Sequence, residues 1–185
     1  MVVSFDTKPE LVTDLVASQD RLESGIRRLR PGGGTALYDA IYYACREKLA
    51  VDQPRTKFRR AMVIVSDGED NESDGTRDQA LEMAQKADVV IYAISTNITR
   101  AETEGDRVLR YFTTETGGQT FFPFKVEDLE QSFENISDQL THQYNLLYRP
   151  EPLVTDGLWH SVLLRVKGRK DLLVRCRTGY YAPKM

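Results

Sequence analysis

Ala61-Met-Val-Ile-Val-Ser-Asp-Gly68 is the stretch on which the reading of this chain turns. Its apolar run is short, carries β-branched side chains and closes on Ser-Asp-Gly. That pattern predicts a strand buried on both faces, the kind found inside a parallel sheet. Val89-Val-Ile-Tyr-Ala-Ile94 repeats it further on. Between the two, Thr76 and Gln79 make a capping-box pair, and Ala80, Leu81, Ala84 and Ala87 continue one helical face. Buried strand, helix, buried strand is the signature of an α/β fold.

Toward the N-terminus, residues 1–5 read as a short strand. Residues 11–16 read as an edge strand, interrupted by Thr13 and Asp14. Asp20 and Glu23 predict a capping box for a helix carrying Leu22, Ile26 and Leu29, which Pro31 and Gly32-Gly-Gly34 stop. Thr35 then offers an N-cap, and Leu37, Ile41, Ala44, Cys45 and Leu49 share the next helical face. A turn containing Pro54 leads to the opening stretch. Toward the C-terminus, a helix over residues 107–114 ends at Gly117-Gly118, and a strand covers residues 120–124. A last helix carries Leu129, Phe133, Ile136 and Leu140.

From residue 143 the pattern changes. Residues 143–149, 159–166 and 172–180 read as three strands with no helix between them, and Gly168-Arg-Lys-Asp171 suits a hairpin turn. The expected organisation is an α/β domain over 1–142 with an antiparallel β extension, 143–185, packed on it.

The formal net charge of -3 gives no nucleic-acid footprint. Basic clusters at Arg55, Lys57, Arg59 and Arg60, and at Arg165, Lys167, Arg169 and Lys170, read as solvated strand flanks. No apolar stretch is long enough to span a bilayer, and the first residues do not resemble a signal peptide. With only Cys45 and Cys176, neither a disulfide framework nor a metal knuckle is indicated, and both read as buried thiols.

Two loops attract functional attention. Gly32-Gly-Gly-Thr35 precedes a helix and Ser66-Asp67-Gly68 follows a buried strand, positions near the carboxyl ends of strands where α/β folds bind ligands. A Thr hydroxyl and an Asp carboxylate are hard oxygen donors suited to Mg2+. Helix capping by Thr35 and a strand-ending turn at Asp67 explain the same residues without a ligand. Asp39, one turn into the helix, would orient the site from behind or lie exposed.

The sequence resembles the von Willebrand factor A family, in its bacterial branch with a C-terminal extension. The resemblance rests on Val3-Ser-Phe-Asp6, Gly33-Gly-Thr-Ala-Leu-Tyr-Asp-Ala40, Val63-Ile-Val-Ser-Asp-Gly-Glu-Asp-Asn71 and Val90-Ile-Tyr-Ala-Ile94. In the extension it rests on Tyr144-Asn-Leu-Leu-Tyr-Arg-Pro150, Trp159-His160 and Arg177-Thr-Gly-Tyr-Tyr181. It implies a three-layer, Rossmann-like α/β sheet with the antiparallel appendage. It also implies a metal-ion-dependent adhesion site to which Thr35 and Asp67 contribute, with Asp39 in support.

The Asp-x-Ser-x-Ser of the family's first metal loop occurs nowhere in the chain. The resemblance therefore implies that the opening strand, its loop and the first helix precede residue 1. Residues 1–5 would then be the family's second strand. Two consequences are expected: Mg2+ bound in the complete parent domain but weakly or not at all here, and a missing-strand gap beside residues 61–65 open to self-association. The implied function is a non-enzymatic module for a protein or peptide ligand, adhesion-like and metal-dependent in the parent. A metal-independent scaffold is the alternative. The parent is expected in an extracellular, periplasmic or cell-surface setting.

Other chemistries fit less well. Asp70, Glu72, Asp74 and Gly75 imitate the start of a calcium loop, but Leu81 stands where its final glutamate belongs. The three glycines lack the Lys-Ser/Thr of a phosphate loop. His142 and His160 are the only histidines and sit on a helix and a strand, which makes a hydrolase the weakest alternative.

Overall fold

A computed structural model describes residues 1–30, 32–50, 59–99, 101–169 and 171–184. The readings placed on Pro31, Pro54, Arg55, Lys57 and Lys170 lie outside the described residues. The chain forms two compact units, Met1–Arg60 with Gly68–Val89, and Ala61–Asp67 with Val90–Met185.

The first unit opens on an antiparallel pair, β1 (Val2–Phe5) and β2 (Pro9–Thr13), with Val3 opposite Leu11 and Phe5 opposite Pro9. Helix α1 (Gln19–Arg28) follows, capped by Ser18 rather than by Asp20. Gly25 of α1 comes so close to Thr13 that an added Cβ would lie 2.1 Å from its hydroxyl. Helix α2 (Leu37–Tyr43) runs into a π-helical turn, Ala44–Leu49, where Ala50 N–H reaches the Cys45 carbonyl at 2.8 Å. Helix α3 (Arg77–Lys86) has the Thr76/Gln79 capping box that the sequence predicts. Ala40, Ile41 and Ala44 are buried on one helix, and Ala80, Leu81 and Ala84 on the other. Small side chains on both let α2 and α3 approach closely. Burial pushes the Cys45 thiol up to about 12, so it packs as a neutral apolar group.

The second unit holds the sheet formed by β3 (Arg60–Ser66), β4 (Val89–Ser95) and β5 (Thr120–Phe121), in the order β3-β4-β5 with β4 and β5 parallel. β4 is buried almost throughout, with Ile91, Ala93 and Ile94 fully inaccessible. β3 differs from the expectation of burial on both faces. Ile64 and Ser66 point inward, whereas Val63 and Val65 are 40% and 47% exposed. Helix α4 (Glu104–Thr116) buries Leu109 and Phe112, and α5 (Val126–Thr141) buries Ile136 against Tyr92 and Ile94.

In the extension, β6 (Trp159–Ser161) pairs antiparallel with β7 (Gly179–Tyr181). Trp159 meets Tyr181 edge-on at 5.0 Å, and His160 stacks on Tyr180 at 5.6 Å. A Cβ on Gly179 would lie 2.4 Å from both the His160 carbonyl and the Trp159 ring. These contacts give the Trp159-His160 and Gly179-Tyr-Tyr181 segments a structural role. The strand expected over 143–149 does not form; Tyr144 and Leu147 there are 94% and 100% exposed.

The structure also overturns the expectation of an absent first strand and first helix. The described chain has β1, β2 and α1, followed by the full series of later strands and helices. The gap argument took residues 1–5 for the family's second strand and the inner neighbour of residues 61–65 for missing. The backbone of residues 1–5 is instead paired with β2, a partner that the short separation of the two segments supplies locally. The proposed gap beside residues 61–65 is withdrawn with it. What stands is the α/β fold with an antiparallel appendage.

Candidate functional site

The glycine-rich turn and the acidic loop of the first unit are joined by hydrogen bonds that tie residues 70–75 to the start of α2. The N-cap of α2 is Ala36, with no side-chain cap of its own. Its orphan amides are served from the loop. Tyr38 N–H donates to Asp70 Oδ2 at 2.9 Å, and Asp39 N–H donates to Ser73 Oγ at 3.0 Å. The Ser73 hydroxyl and amide in turn donate to Asp70, at 2.7 and 3.1 Å. In return, Asp39 accepts the amides of Asp74 and Gly75, each at 3.0 Å. Two carboxylates thus clamp the loop and the helix from opposite sides.

Thr35 belongs to the same assembly through its backbone. Its N–H donates to Asn71 Oδ1 at 2.7 Å, and its carbonyl accepts from Asn71 and Glu72 at 3.0 and 3.2 Å. It does not cap α2. Gly34 is required beside it, because an added Cβ would lie 2.2 Å from the Glu72 side chain. Asp67 follows β3, is exposed, and belongs to the second unit. Asp39 is half-buried and accepts hydrogen bonds from the acidic loop.

A groove of about 390 Å³ runs along α2 and α3 beside this clamp. Tyr38, Tyr42, Met83 and Lys86 line it, together with Asp39 and Gly75 of the clamp. The Arg46 guanidinium lies 5.8 Å from the Tyr42 ring centre.

The oxygens of Thr35 and Asp67 are of the kind that suits a hard cation, and the two residues belong to different units. Asp39 and Asp70 already accept main-chain N–H groups. Among the described residues, no group of three or more His, Cys, Asp or Glu side chains is placed to hold a metal ion. The calcium-loop reading fails for the same reason, since Asp70 fastens a helix start. The histidines have structural partners: His142 Nδ1 lies 2.9 Å from the Asp138 carbonyl at the end of α5, and His160 Nε2 lies 3.2 Å from Asp156 Oδ1. Cys176 is half-buried rather than buried.

Sequence reasoning missed the clamp itself. Asn71 and Ser73 act across more than thirty positions, and no local pattern signals a helix capped from so far away. It also missed the node at Asp106, although Thr103-Glu-Gly-Asp106 has the spacing of a capping box and forms one.

The von Willebrand factor type A domain model matches residues 1–139. A comparison with curated proteins returned no match. Among solved structures, a von Willebrand factor type A protein from Catenulispora acidiphila superposes with a TM-score of 0.59 at 17% identity, over 73% of this chain and 32% of that one. The chain therefore spans about a third of that relative's length. An aerotolerance-related membrane protein from Bacteroides fragilis gives a TM-score of 0.53 at 17% identity, over 76% of this chain and 78% of that one. At such identities the likeness concerns the fold. Among the described residues, no helix is long and apolar enough to cross a membrane.

Proposed function

The chain belongs to the von Willebrand factor type A domain family, and on that premise we propose that it is a protein-interaction module that catalyses no reaction. The carrying observation is the clamp between residues 70–75 and α2, which pre-organises a loop edge beside a groove lined by two tyrosines and a methionine. A surface already fixed before binding loses less conformational freedom in the complex. Tyrosine and methionine are enriched at interface centres because they offer large contact areas. The ligand we assign to the groove is an extended peptide segment of a partner protein. Thr35 and Asp67 are proposed as polar contacts to a partner, with no metal step derived from them.

Selection of a displayed peptide library on the immobilised protein, followed by fluorescence titration, tests this reading. Selected peptides should bind equally in EDTA and in Mg2+, and Tyr42→Ala or Met83→Ala should weaken them at least about tenfold, the factor for one good interface contact. Binding that needs Mg2+ and disappears in Thr35→Ala and Asp67→Ala would overturn the metal-independent form. Binding indifferent to Tyr42 and Met83 would overturn the groove.

A further inference from the structure

Five carboxylates, those of Asp6, Asp39, Asp70, Glu72 and Asp74, gather around the start of α2. The Asp6 carbonyl accepts Ala36 N–H at 2.7 Å, and a Cβ on Gly33 would lie 2.9 Å from the Asp6 Cβ. Asp39 and Asp70 belong to the clamp, which also fixes the backbone of Glu72 and Asp74. Among the described residues, none of these five side chains forms an ion pair with Lys, Arg or His. Carboxylates elsewhere in the chain do: Asp14 is paired with Lys48, Glu23 with Arg27 and Glu104 with Arg107.

Main-chain N–H groups answer part of this charge. Thr7 donates to Asp6, Tyr38 to Asp70, and Asp74 and Gly75 to Asp39. Glu72 and Asp74 are exposed, and among the described residues nothing donates to their carboxylates. Like charges gathered without counter-charges repel one another, and a cationic ligand relieves that cost. The five do not converge on one point, since among the described residues no three such side chains are placed to hold a metal ion. Dispersed negative charge matches dispersed positive charge, as along a basic peptide.

The groove beside them has no cation to spare. Its Lys86 is paired with Glu82, and Arg46, next to Tyr42, is paired with Glu47 at 3.3 Å.

We propose that the peptide held in the α2–α3 groove is a basic segment of another protein. Its apolar residues lie against Tyr38, Tyr42 and Met83, and flanking Lys or Arg side chains reach Glu72 and Asp74. This deepens the peptide reading of the groove and rests on it. The chain's own extension is a poorer source of these cations: Arg169 is held by Asp171 through bonds of 2.8 and 2.7 Å, and Arg177 is engaged. Ion pairs at exposed carboxylates are individually weak and screened by salt, so the loop selects among peptides while the groove supplies most of the affinity.

Fluorescence titration of the intact chain with three pools of labelled peptides tests the idea. Each peptide has an apolar centre of Leu, Tyr, Val and Pro in random order, flanked on both sides by Lys and Arg, by Gln, or by Glu. At about 50 mM salt the Lys/Arg pool should bind at least about fivefold more tightly than the Gln pool, the yield of a few surface ion pairs, and the Glu pool should bind more weakly than either. At about 1 M salt the three should converge. Glu72→Gln/Asp74→Asn, confirmed folded by circular dichroism, should remove the preference, whereas Tyr42→Ala should weaken all three pools and keep their order. Pools that bind alike and all need Tyr42 would overturn the basic ligand and leave the peptide reading standing. Binding by no pool would reject the peptide reading and this proposal with it. A Lys/Arg preference that survives Glu72→Gln/Asp74→Asn, or binding of that pool indifferent to Tyr42→Ala, overturns the proposal alone. If Arg165→Glu/Lys167→Glu raised the affinity for the Lys/Arg pool at least about tenfold, the chain's own extension would be the loop's occupant, and a separate partner would be rejected.

Discussion

Asp106 is 1% exposed, and its burial is tolerable because its oxygens are answered. Ser95 Oγ donates to Oδ1 at 2.7 Å; Asn97 Nδ2 and Thr103 N–H donate to Oδ2 at 2.7 and 3.0 Å. Burial alone would raise its pKa, but the Thr103, Ser95 and Asn97 hydrogen bonds outweigh it and hold the carboxyl below the ordinary value. Asp106→Asn replaces an acceptor with a donor facing donors, and should cost about 2–3 kcal/mol in urea unfolding near neutral pH. The sign of the pH dependence follows from the depressed value. The ionised group's contribution is full above the unfolded pKa of about 3.9 and is lost as pH falls through the lower folded value. The gap between wild type and variant should therefore narrow in acid, and a gap that widened there would contradict this assignment. At the same scale, the residue types of Thr35, Asp39 and Asp67 were legible, but their bonding was not. Capping is normally read within four positions, and α2 takes its caps from Asp70 and Ser73.

Helices were easier to read than strands because a cap and a repeating face signal them twice. The sequence places α3 by both signals, whereas α4 is placed over 107–114 by its face, without its Thr103/Asp106 box. The short strands owe their limits to long-range partners: β5 is two residues long, and β6 is three where eight were expected. Gly117 shows how an element ending can serve two purposes. It closes α4 in a left-handed conformation, φ 87°, and an added Cβ would lie 2.6 Å from Arg177 N and Cys176 C. Gly168 has a similar φ of 78° with nothing within 4 Å. Gly168→Ala should cost about 1–2 kcal/mol, the left-handed penalty alone, and Gly117→Ala measurably more. Equal losses in chemical denaturation would show that the Cys176–Arg177 backbone yields freely.

At the scale of the molecule, structure and charge are distributed unevenly. The α/β alternation was legible because buried runs such as residues 89–94 admit few placements. The extension was legible only as a change of pattern, since its apolar residues do not all find a core. Ile91, Ala93, Ile94, Leu109 and Phe112 are fully buried in the second unit, whereas Leu146 and Leu153 of the same unit are 62% and 55% exposed. Local opening free energy follows such differences, because an amide in a packed strand exchanges only when its contacts break. Hydrogen exchange should find the amides of β4 and α4 slowest and residues 144–154 among the fastest. Protection of 144–154 as strong as that of β4 would show that these leucines and tyrosines are packed in solution, and the exposure of this segment would have to be abandoned.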